Sequence, residues 1–309
     1  MSAKFMMLCG LPGCGKSTFS NKLVEETNAV VCSSDALRLE LFGSEDDQTQ
    51  NNRLFAELGR RVKMHLQNGQ NVIYDATNIN AKKRMAFLRE IKHIKCEKIC
   101  YVLATPLEVC FRNNRSRERF VPEHSIRRMQ MTWTTPGCFE GWDWIEVVYP
   151  FPEYKGYLGK PEAIAASLVD FSQDNPHHTL TLGNHLKACQ ESVIEQLTNA
   201  PELDRPSMRE AALIHDLGKR STKGFFNTKG EPTKIAHYYQ HENVGAYEAL
   251  FLDVEDPLEV SLLVNLHMKP YTWENGSGSE KTAKRYQEMW GETLYRKVMI
   301  LHKADGEAH

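Results

Sequence analysis

Three groups of residues in this 309-residue chain have the types and spacing to do chemistry. The first is Gly10-Leu11-Pro12-Gly13-Cys14-Gly15-Lys16-Ser17, the pattern G-x-x-x-x-G-K-S, followed by Thr18. Glycines let the backbone turn consecutive N–H groups onto an anion, and a helix start adds its positive dipole end. Lys16 would then reach the β- and γ-phosphates while the Ser17 hydroxyl takes Mg²⁺. Gly10, Gly13, Cys14, Gly15, Lys16, Ser17 and Thr18 are therefore expected to hold ATP or another nucleoside triphosphate with Mg²⁺.

The second group lies further along the same half. Asp35 follows the apolar run Val30-Val31-Cys32, and Arg38 comes three residues later, where a second helix should begin. An aspartate just past a strand can accept a proton from an attacking hydroxyl, or it can merely cap a helix. Arg38 would face a substrate phosphate through its fork of donors. Asp75 ends the apolar run Asn71-Val72-Ile73-Tyr74 and suits either the Mg²⁺ shell or the acceptor. Arg112, Arg115, Arg117, Arg119, Arg127 and Arg128 crowd one stretch, opposed by Glu118 and Glu123. Such a run reads as a cationic lid over the triphosphate or as a solvated helix face.

The third group is in the second half. His215-Asp216 sits among apolar helix residues, where an unpartnered pair would cost several kcal/mol. Metal coordination removes that cost. His185, His241, His267 and Asp305 recur at intervals and complete a mixed nitrogen and oxygen set, suited to one or two divalent metals of the Mn, Ni, Co, Mg or Zn class. Lys219 stands ready to neutralise a phosphate or simply to end a helix. His177, His178, His237, His302 and His309 carry no comparable argument.

These residues need scaffolds. Apolar runs at 4–9, 29–33, 71–75, 98–104 and 145–149 read as strands, and 16–27, 51–67, 80–92 and 106–119 as helices. That alternation predicts an α/β P-loop domain over residues 1–152, a parallel sheet with helices on both faces and the ligand beyond the strand C-termini. The stretch 153–171, opened by Pro- and Gly-rich sequence, reads as a linker or docked segment. Helical periodicity at 161–172, 181–199, 207–218, 240–252, 256–267 and 279–303 then predicts an all-α domain over 172–309.

Composition narrows the classes. Net charge is −2, with a mildly basic first half and an acidic second, which excludes a bulk coater of nucleic acid. No apolar stretch approaches the ~20 residues of a membrane span. The start leads directly into the first expected strand, so no signal peptide is expected. Eight cysteines form no C-x-x-C pair, and a reducing cytoplasm fits them.

Residues 1 to about 150 resemble the kinase domain of phage-type polynucleotide 5′-hydroxyl kinases. The resemblance rests on the loop at 10–17, Ser34-Asp35-x-x-Arg38, Asp75-x-Thr77-Asn78, and Val121-Pro122 followed by Ile126-Arg127. It implies that Asp35 is the general base toward a 5′-OH, that Arg38 contacts the phosphate beside the acceptor nucleotide, and that Arg127 engages the donor phosphates. Residues from about 172 onward resemble the HD phosphohydrolase superfamily through His185, His215, Asp216 and Asp305. His241 and His267 match the subset with two further histidines, which often holds a second metal.

Together the halves are similar to bifunctional end-healing enzymes that join an HD module to a polynucleotide kinase, with the kinase first here and the HD module first there. The resemblance implies phosphorylation of 5′-OH ends, opening of 2′,3′-cyclic phosphates, removal of the remaining phosphomonoester, RNA ends as substrate and an RNA ligase downstream. A metabolite or nucleoside kinase fused to a nucleotide phosphohydrolase, and a nucleotide-sensing regulator, are the competing readings.

Overall fold

Five strands with long apolar runs can be buried on both faces, and the chain uses them that way. The computed structural model describes residues 2–117, 119–176, 178–274 and 278–308; Glu118, His177 and His309 lie outside them. The first unit comprises residues 1–129 and 136–152. Its elements run β1 (Ala3–Cys9), α1 (Lys16–Thr27), β2 (Val30–Ser33), α2 (Ser34–Phe42), α3 (Asn51–Gln67), β3 (Val72–Asp75), α4 (Ala81–Glu90), β4 (Cys96–Leu103), α5 (Leu107–Arg115), α6 (Glu123–Met131) and β5 (Trp144–Val148). The sheet order is β2-β3-β1-β4-β5, and every pairing is parallel.

The register places the functional ends side by side. Leu8 pairs with Asp75, and Ser33 pairs with Asp75 on the other side. The loop after β1, Asp35 after β2 and Asp75 therefore emerge at one edge of the sheet, where ligands of such folds bind. Helix α3 buries Leu54, Leu58, Val62 and Leu66, one helical stripe at a spacing of four. The Phe5 ring lies 5.4 Å from Phe87 and 6.3 Å from Trp142 in the core.

One ion pair is sealed within this unit. The Arg84 and Glu140 side chains are both fully buried, joined at 2.8 and 2.6 Å as a bidentate pair. Trp142 Nε1 also donates to Glu140 at 3.0 Å, and Arg84 donates to the Asn78 carbonyl at 2.9 Å. Asn78 is left-handed at φ 49°, and its amide donates to the Leu8 carbonyl at 2.8 Å. The pair thus pins the segment after Asp75 against the end of β1.

The second unit comprises residues 130–135 and 153–309. It contains α7 (Pro161–Ser167), α8 (Leu182–Leu197), α9 (Pro206–Ile214), α10 (Lys219–Thr222), β6 (Gly224–Phe226), β7 (Pro232–His237), α11 (His241–Ala249), α12 (Pro257–Leu266), α13 (Ser279–Trp290) and α14 (Glu292–Glu307). Proline opens α7, α9 and α12, where its missing N–H costs nothing. Gly183 lets α8 approach α7: a Cβ there would lie 2.5 Å from the Ala165 carbonyl oxygen.

The unit is largely helical, but the all-α expectation needs correction. β6 and β7 form an antiparallel hairpin. Its apolar residues Phe225, Phe226 and Ile235 are exposed, so no buried alternation marked it in the sequence. Helix 207–218 stops at Ile214, and 279–303 is two helices broken at Gly291, whose φ is 77°. The segment 153–171 carries α7, packed on α8 and α9. Among the described residues no helix is long and apolar enough to cross a membrane.

Removing one partner of a buried ion pair strands the other charge. Arg84→Ala or Glu140→Ala is expected to destabilise the first unit by about 3–5 kcal/mol in chemical denaturation, and Arg84→Met/Glu140→Leu by clearly less.

Candidate functional site

The loop at 10–17 is shaped by left-handed glycines. Gly13 and Gly15 have φ of 81° and 95°, and a Cβ on Gly13 would lie 2.3 Å from the Cys110 carbonyl oxygen. Gly10 serves packing instead: its N–H donates to the Thr77 carbonyl at 2.9 Å, and a Cβ would meet Cys14 Sγ at 2.5 Å. The Cys14 carbonyl accepts from Thr105 at 2.9 Å, and the Gly13 carbonyl from Asn113 at 3.0 Å. Lys16 Nζ donates to the carbonyls of Gly10 and Leu11 at 3.1 and 2.8 Å, so its ammonium is held at the loop. Ser17 and Thr18 follow in the first turn of α1.

A cavity of about 850 Å³ opens beside this loop. Gly13, Gly15, Lys16, Ser17, Thr18, Asp35, Arg38 and Asp75 all border it, whereas Gly10 and Cys14 lie behind the wall. Five cations and three carboxylates line it, a positive balance suited to a polyphosphate. Burial pushes the Asp75 carboxyl above its ordinary range, with Lys16 pulling the other way.

Asp35 lies in the first turn of α2, whose cap is Ser33, accepting from the Ala36 N–H at 3.5 Å. Its carboxylate is therefore free of capping duty. Arg38 reaches it at 3.0 Å, and Arg119 at 2.6 Å. Arg38 is 4% exposed and also donates to Asn51 at 3.1 Å, so most of its fork is occupied within the protein. Arg119 is additionally 3.0 Å from Asp46.

Among the arginines of the basic run, the structure brings Arg117 and Arg119 to the cavity. It does not bring Arg127 there: that guanidinium lies 4.8 Å from the Phe111 ring centroid and 3.7 Å from Glu108. Phe55 and Phe120 are exposed aromatic rings that also line this cavity, and sequence reasoning singled out neither.

The second candidate site lies in the other unit. His185, His215, Asp216 and Asp305 offer ligand atoms within 4.8 Å of one another, and so do Asp216, His241 and His267. All six residues are buried. Asp216 belongs to both sets. Its Oδ2 lies 3.4 and 3.6 Å from the Nε2 atoms of His185 and His215, and its Oδ1 lies 3.0 and 3.7 Å from those of His241 and His267. Asp305 Oδ1 completes the first set at 3.1 and 3.2 Å from His185 and His215.

The backbone fixes the tautomers. The Nδ1–H groups of His215, His241 and His267 donate to the carbonyls of Ala212, Tyr238 and Val264, each three residues earlier, at 2.9, 2.9 and 2.7 Å. That of His185 donates to the Ala308 carbonyl at 2.6 Å. A neutral imidazole bonded this way presents an Nε2 lone pair inward. Yet the Nε2 atoms of His185 and His215 are 3.2 Å apart, and those of His241 and His267 are 3.3 Å apart. Lone pairs facing at that distance repel unless a cation joins them, so the donor set fits two divalent ions sharing Asp216.

With no metal between them the carboxylates and imidazoles balance one another: burial opposes the charged forms of His185 and His215, but Asp216 and Asp305 beside the first, and Cys189, Asp216 and Asp305 beside the second, raise both above the usual imidazole range, so protons occupy the places that divalent ions would take. Burial opposes ionisation of Asp216 and Asp305, but Lys219 and His215 beside the first, and His215 and His185 beside the second, hold both well below the usual carboxylate range. Burial, with His215 and His241 nearby, pushes His267 down to about 3. Gly218 lets these segments meet, since a Cβ there would lie 2.1 Å from the His241 carbonyl oxygen.

Around this centre Lys219, expected from the sequence, meets residues that the sequence did not single out: Gln173, His178 and Tyr271. Lys219 Nζ is 2.6 Å from Asp216 Oδ2, 2.9 Å from Gln173 Oε1 and 3.3 Å from His178 Nε2. Burial, with Lys219 adding to it, pushes His178 down to about 4. Tyr271 donates to Asp305 Oδ2 at 3.0 Å.

Comparison with known proteins bears on the first unit. Residues 5–136 match the AAA domain family model. L-seryl-tRNA(Sec) kinase of Methanococcus maripaludis is 30% identical over 149 residues, which are 45% of this chain and 55% of that protein. A chain of the Pnkp1/Rnl/Hen1 RNA repair complex is 26% identical over 42% of this chain and 45% of its own length, with a TM-score of 0.36. A gluconokinase from Sinorhizobium meliloti is 15% identical over 47% of this chain and 82% of its own, with a TM-score of 0.35. The chain thus spans about half the length of the curated relative it matches. Residues 5–136 are a P-loop domain built to bind a nucleoside triphosphate.

Metal titration followed by calorimetry tests the second centre. Asp216→Ala is expected to abolish tight binding of Mn²⁺ or Ni²⁺ at both positions. Tyr271→Phe, which loses only the bond to Asp305, is expected to weaken it about 10- to 100-fold.

Proposed function

We propose that this chain repairs the two ends of a broken RNA strand. The first unit transfers a phosphoryl group from ATP or another nucleoside triphosphate to a 5′-OH. The second opens a 2′,3′-cyclic phosphate and hydrolyses the remaining phosphomonoester. The observation that carries the reading is the presence in one chain of a cationic cavity with an uncapped carboxylate, Asp35, and a buried double ligand set centred on Asp216. The kinship with a kinase named for a seryl-tRNA supports an RNA-borne hydroxyl as acceptor.

In the first reaction Asp35 accepts the proton of the attacking hydroxyl as its oxygen bonds to the γ-phosphorus. The bond to the bridging oxygen breaks and the diphosphate leaves. Arg38 orients Asp35. Lys16, with Arg117 and Arg119, carries positive charge to the transferring group. Ser17 and Asp75 would hold Mg²⁺, which supplies further neutralisation of the phosphates.

In the second reaction His185, His215, Asp216, His241, His267 and Asp305 would hold two divalent ions, which supply Lewis acidity and lower the pKa of water. Lys219 balances charge on the phosphate, and Gln173 and His178 hold Lys219 in place. The products, a 5′-phosphate and a 3′-OH, are the ends an RNA ligase joins, which makes such a ligase the expected downstream partner.

A single incubation tests this. RNA carrying a 5′-OH and a 2′,3′-cyclic phosphate is mixed with the protein, ATP, Mg²⁺ and Mn²⁺ or Ni²⁺, and both ends are analysed. Both ends are expected to be converted. Asp35→Ala should lower 5′ phosphorylation by about 10²–10⁴-fold and leave 3′ processing intact; Asp216→Ala should do the reverse. Phosphorylation of free nucleosides but of no oligonucleotide would overturn the end-healing reading in favour of a nucleoside kinase.

A further inference from the structure

A second cleft, of about 710 Å³, lies in the second unit, and none of the six candidate metal ligands lines it. Its volume falls in the range of small-molecule sites. One wall is a stripe of α14 carrying Tyr295, Arg296, Met299, His302 and Lys303. The stripe ends at Gly306, where an added Cβ would meet nothing within 4 Å, so the helix surface stays open there. Gln196 at the end of α8 and Asn199 just past it contribute primary amides, the Gln196 Nε2 donating to Ser192 Oγ at 3.2 Å and leaving its Oε1 to a ligand, and Tyr271 and Glu274 also line the cleft.

The chemistry of these groups is selective. Tyr271 is 41% exposed, a large ring at the cleft surface. The lining carboxylate, Glu274, is taken by His302 Nε2 at 2.5 Å. The lining cations, by contrast, are held only by exposed partners: Arg296 by Glu202 at 2.6 Å and Lys303 by Glu307 at 3.7 Å. Such solvent-exposed pairs are weak, so an anion entering the cleft exchanges them at little cost. His302 is 6% exposed, yet its Nδ1 is a buried polar atom without a hydrogen-bond partner. A buried donor or acceptor in that state is destabilising until something pairs with it.

We propose that this cleft is a nucleotide-binding site. Aromatic rings take the face of a base, primary amides its edge, and a guanidinium and an ammonium its phosphate. The site adjoins the metal centre through one bond, Tyr271 to Asp305, so a nucleotide against Tyr271 touches a group that holds a metal ligand. The nucleotide comes either free or as a unit of a strand. The site requires neither proposed reaction.

Photocrosslinking of the full chain tests it without turnover. The probes are 4-thiouridine 5′-monophosphate and a 5′-phosphorylated oligouridylate with a 3′-terminal 4-thiouridine, with crosslinks mapped by mass spectrometry. Crosslinks are expected on peptides containing Tyr271 or Tyr295, reduced about tenfold or more in Arg296→Glu/Lys303→Glu. The milder Arg296→Gln/Lys303→Gln should lose a smaller share, with crosslinks to the first unit of the same sample unchanged. Labelling by the mononucleotide assigns a free nucleotide; labelling by the oligomer alone assigns a strand. Crosslinks confined to the first unit, or undiminished in both variants, would overturn the inference, whatever the end-repair assay gives.

Discussion

The Asp216 carboxylate is the constraint around which the second unit is organised. It is 2% exposed, and each of its oxygens faces a different pair of histidines. A carboxylate so placed is tolerable only if positive charge reaches both sides. Lys219 supplies one cation, and the Nε2 pairs define where others belong. The close approach at Gly218 follows from the same demand. It draws the turn after Asp216 onto the start of α11 and so delivers His241 to one carboxylate oxygen.

The two units solve the problem of buried charge differently. Arg84 and Glu140 satisfy each other, and Trp142 and the Asn78 carbonyl complete their hydrogen bonds. That network is closed, rigid and structural. It sets the loop that follows Asp75 but presents no charge to a ligand. Around Asp216 the bonds to the backbone fix orientation alone and leave lone pairs aimed at one another. An open set of donors invites a ligand, and a closed one holds a fold.

The sequence made both centres legible, but unevenly. The loop at 10–17 reads clearly because its chemistry is local: turn, lysine and hydroxyl are contiguous. Three of the four histidines bond carbonyls three residues back, so their orientation is also local, although nothing in the sequence announced it. The sheet was legible because buried parallel strands are continuously apolar. The hairpin at 224–237 was not, since its apolar side chains face solvent. The basic run could not say which arginines turn inward. Arg117 and Arg119 reach the cavity from the bend between α5 and α6, whereas Arg127 sits on α6 against Phe111. His178 and His302 gain their interest only from neighbours distant in sequence, Lys219 and Glu274.

Under the proposed function the chain both adds and removes phosphate esters, and so faces a problem of selectivity that phosphate recognition cannot solve, because both substrates carry it. Discrimination has to come from what lies beside the reacting group. In the first unit Asp35 is more than a third exposed and shares its cavity with the rings of Phe55 and Phe120, an arrangement that can admit a chain end with its base. In the second, the ligand atoms are buried and Lys219 is 4% exposed, so an ester must offer its phosphate into a confined place. A 5′-phosphate made at the first centre and a 3′-terminal monoester are both phosphomonoesters, and they differ in the sugar carbon that carries them, in the neighbouring 2′-OH and in the direction from which the strand leaves. Strand direction and the sugar edge at the second centre are therefore the features that can keep the chain from hydrolysing its own product. A nucleotide-binding cleft one hydrogen bond from Asp305 is a means by which that direction can be read.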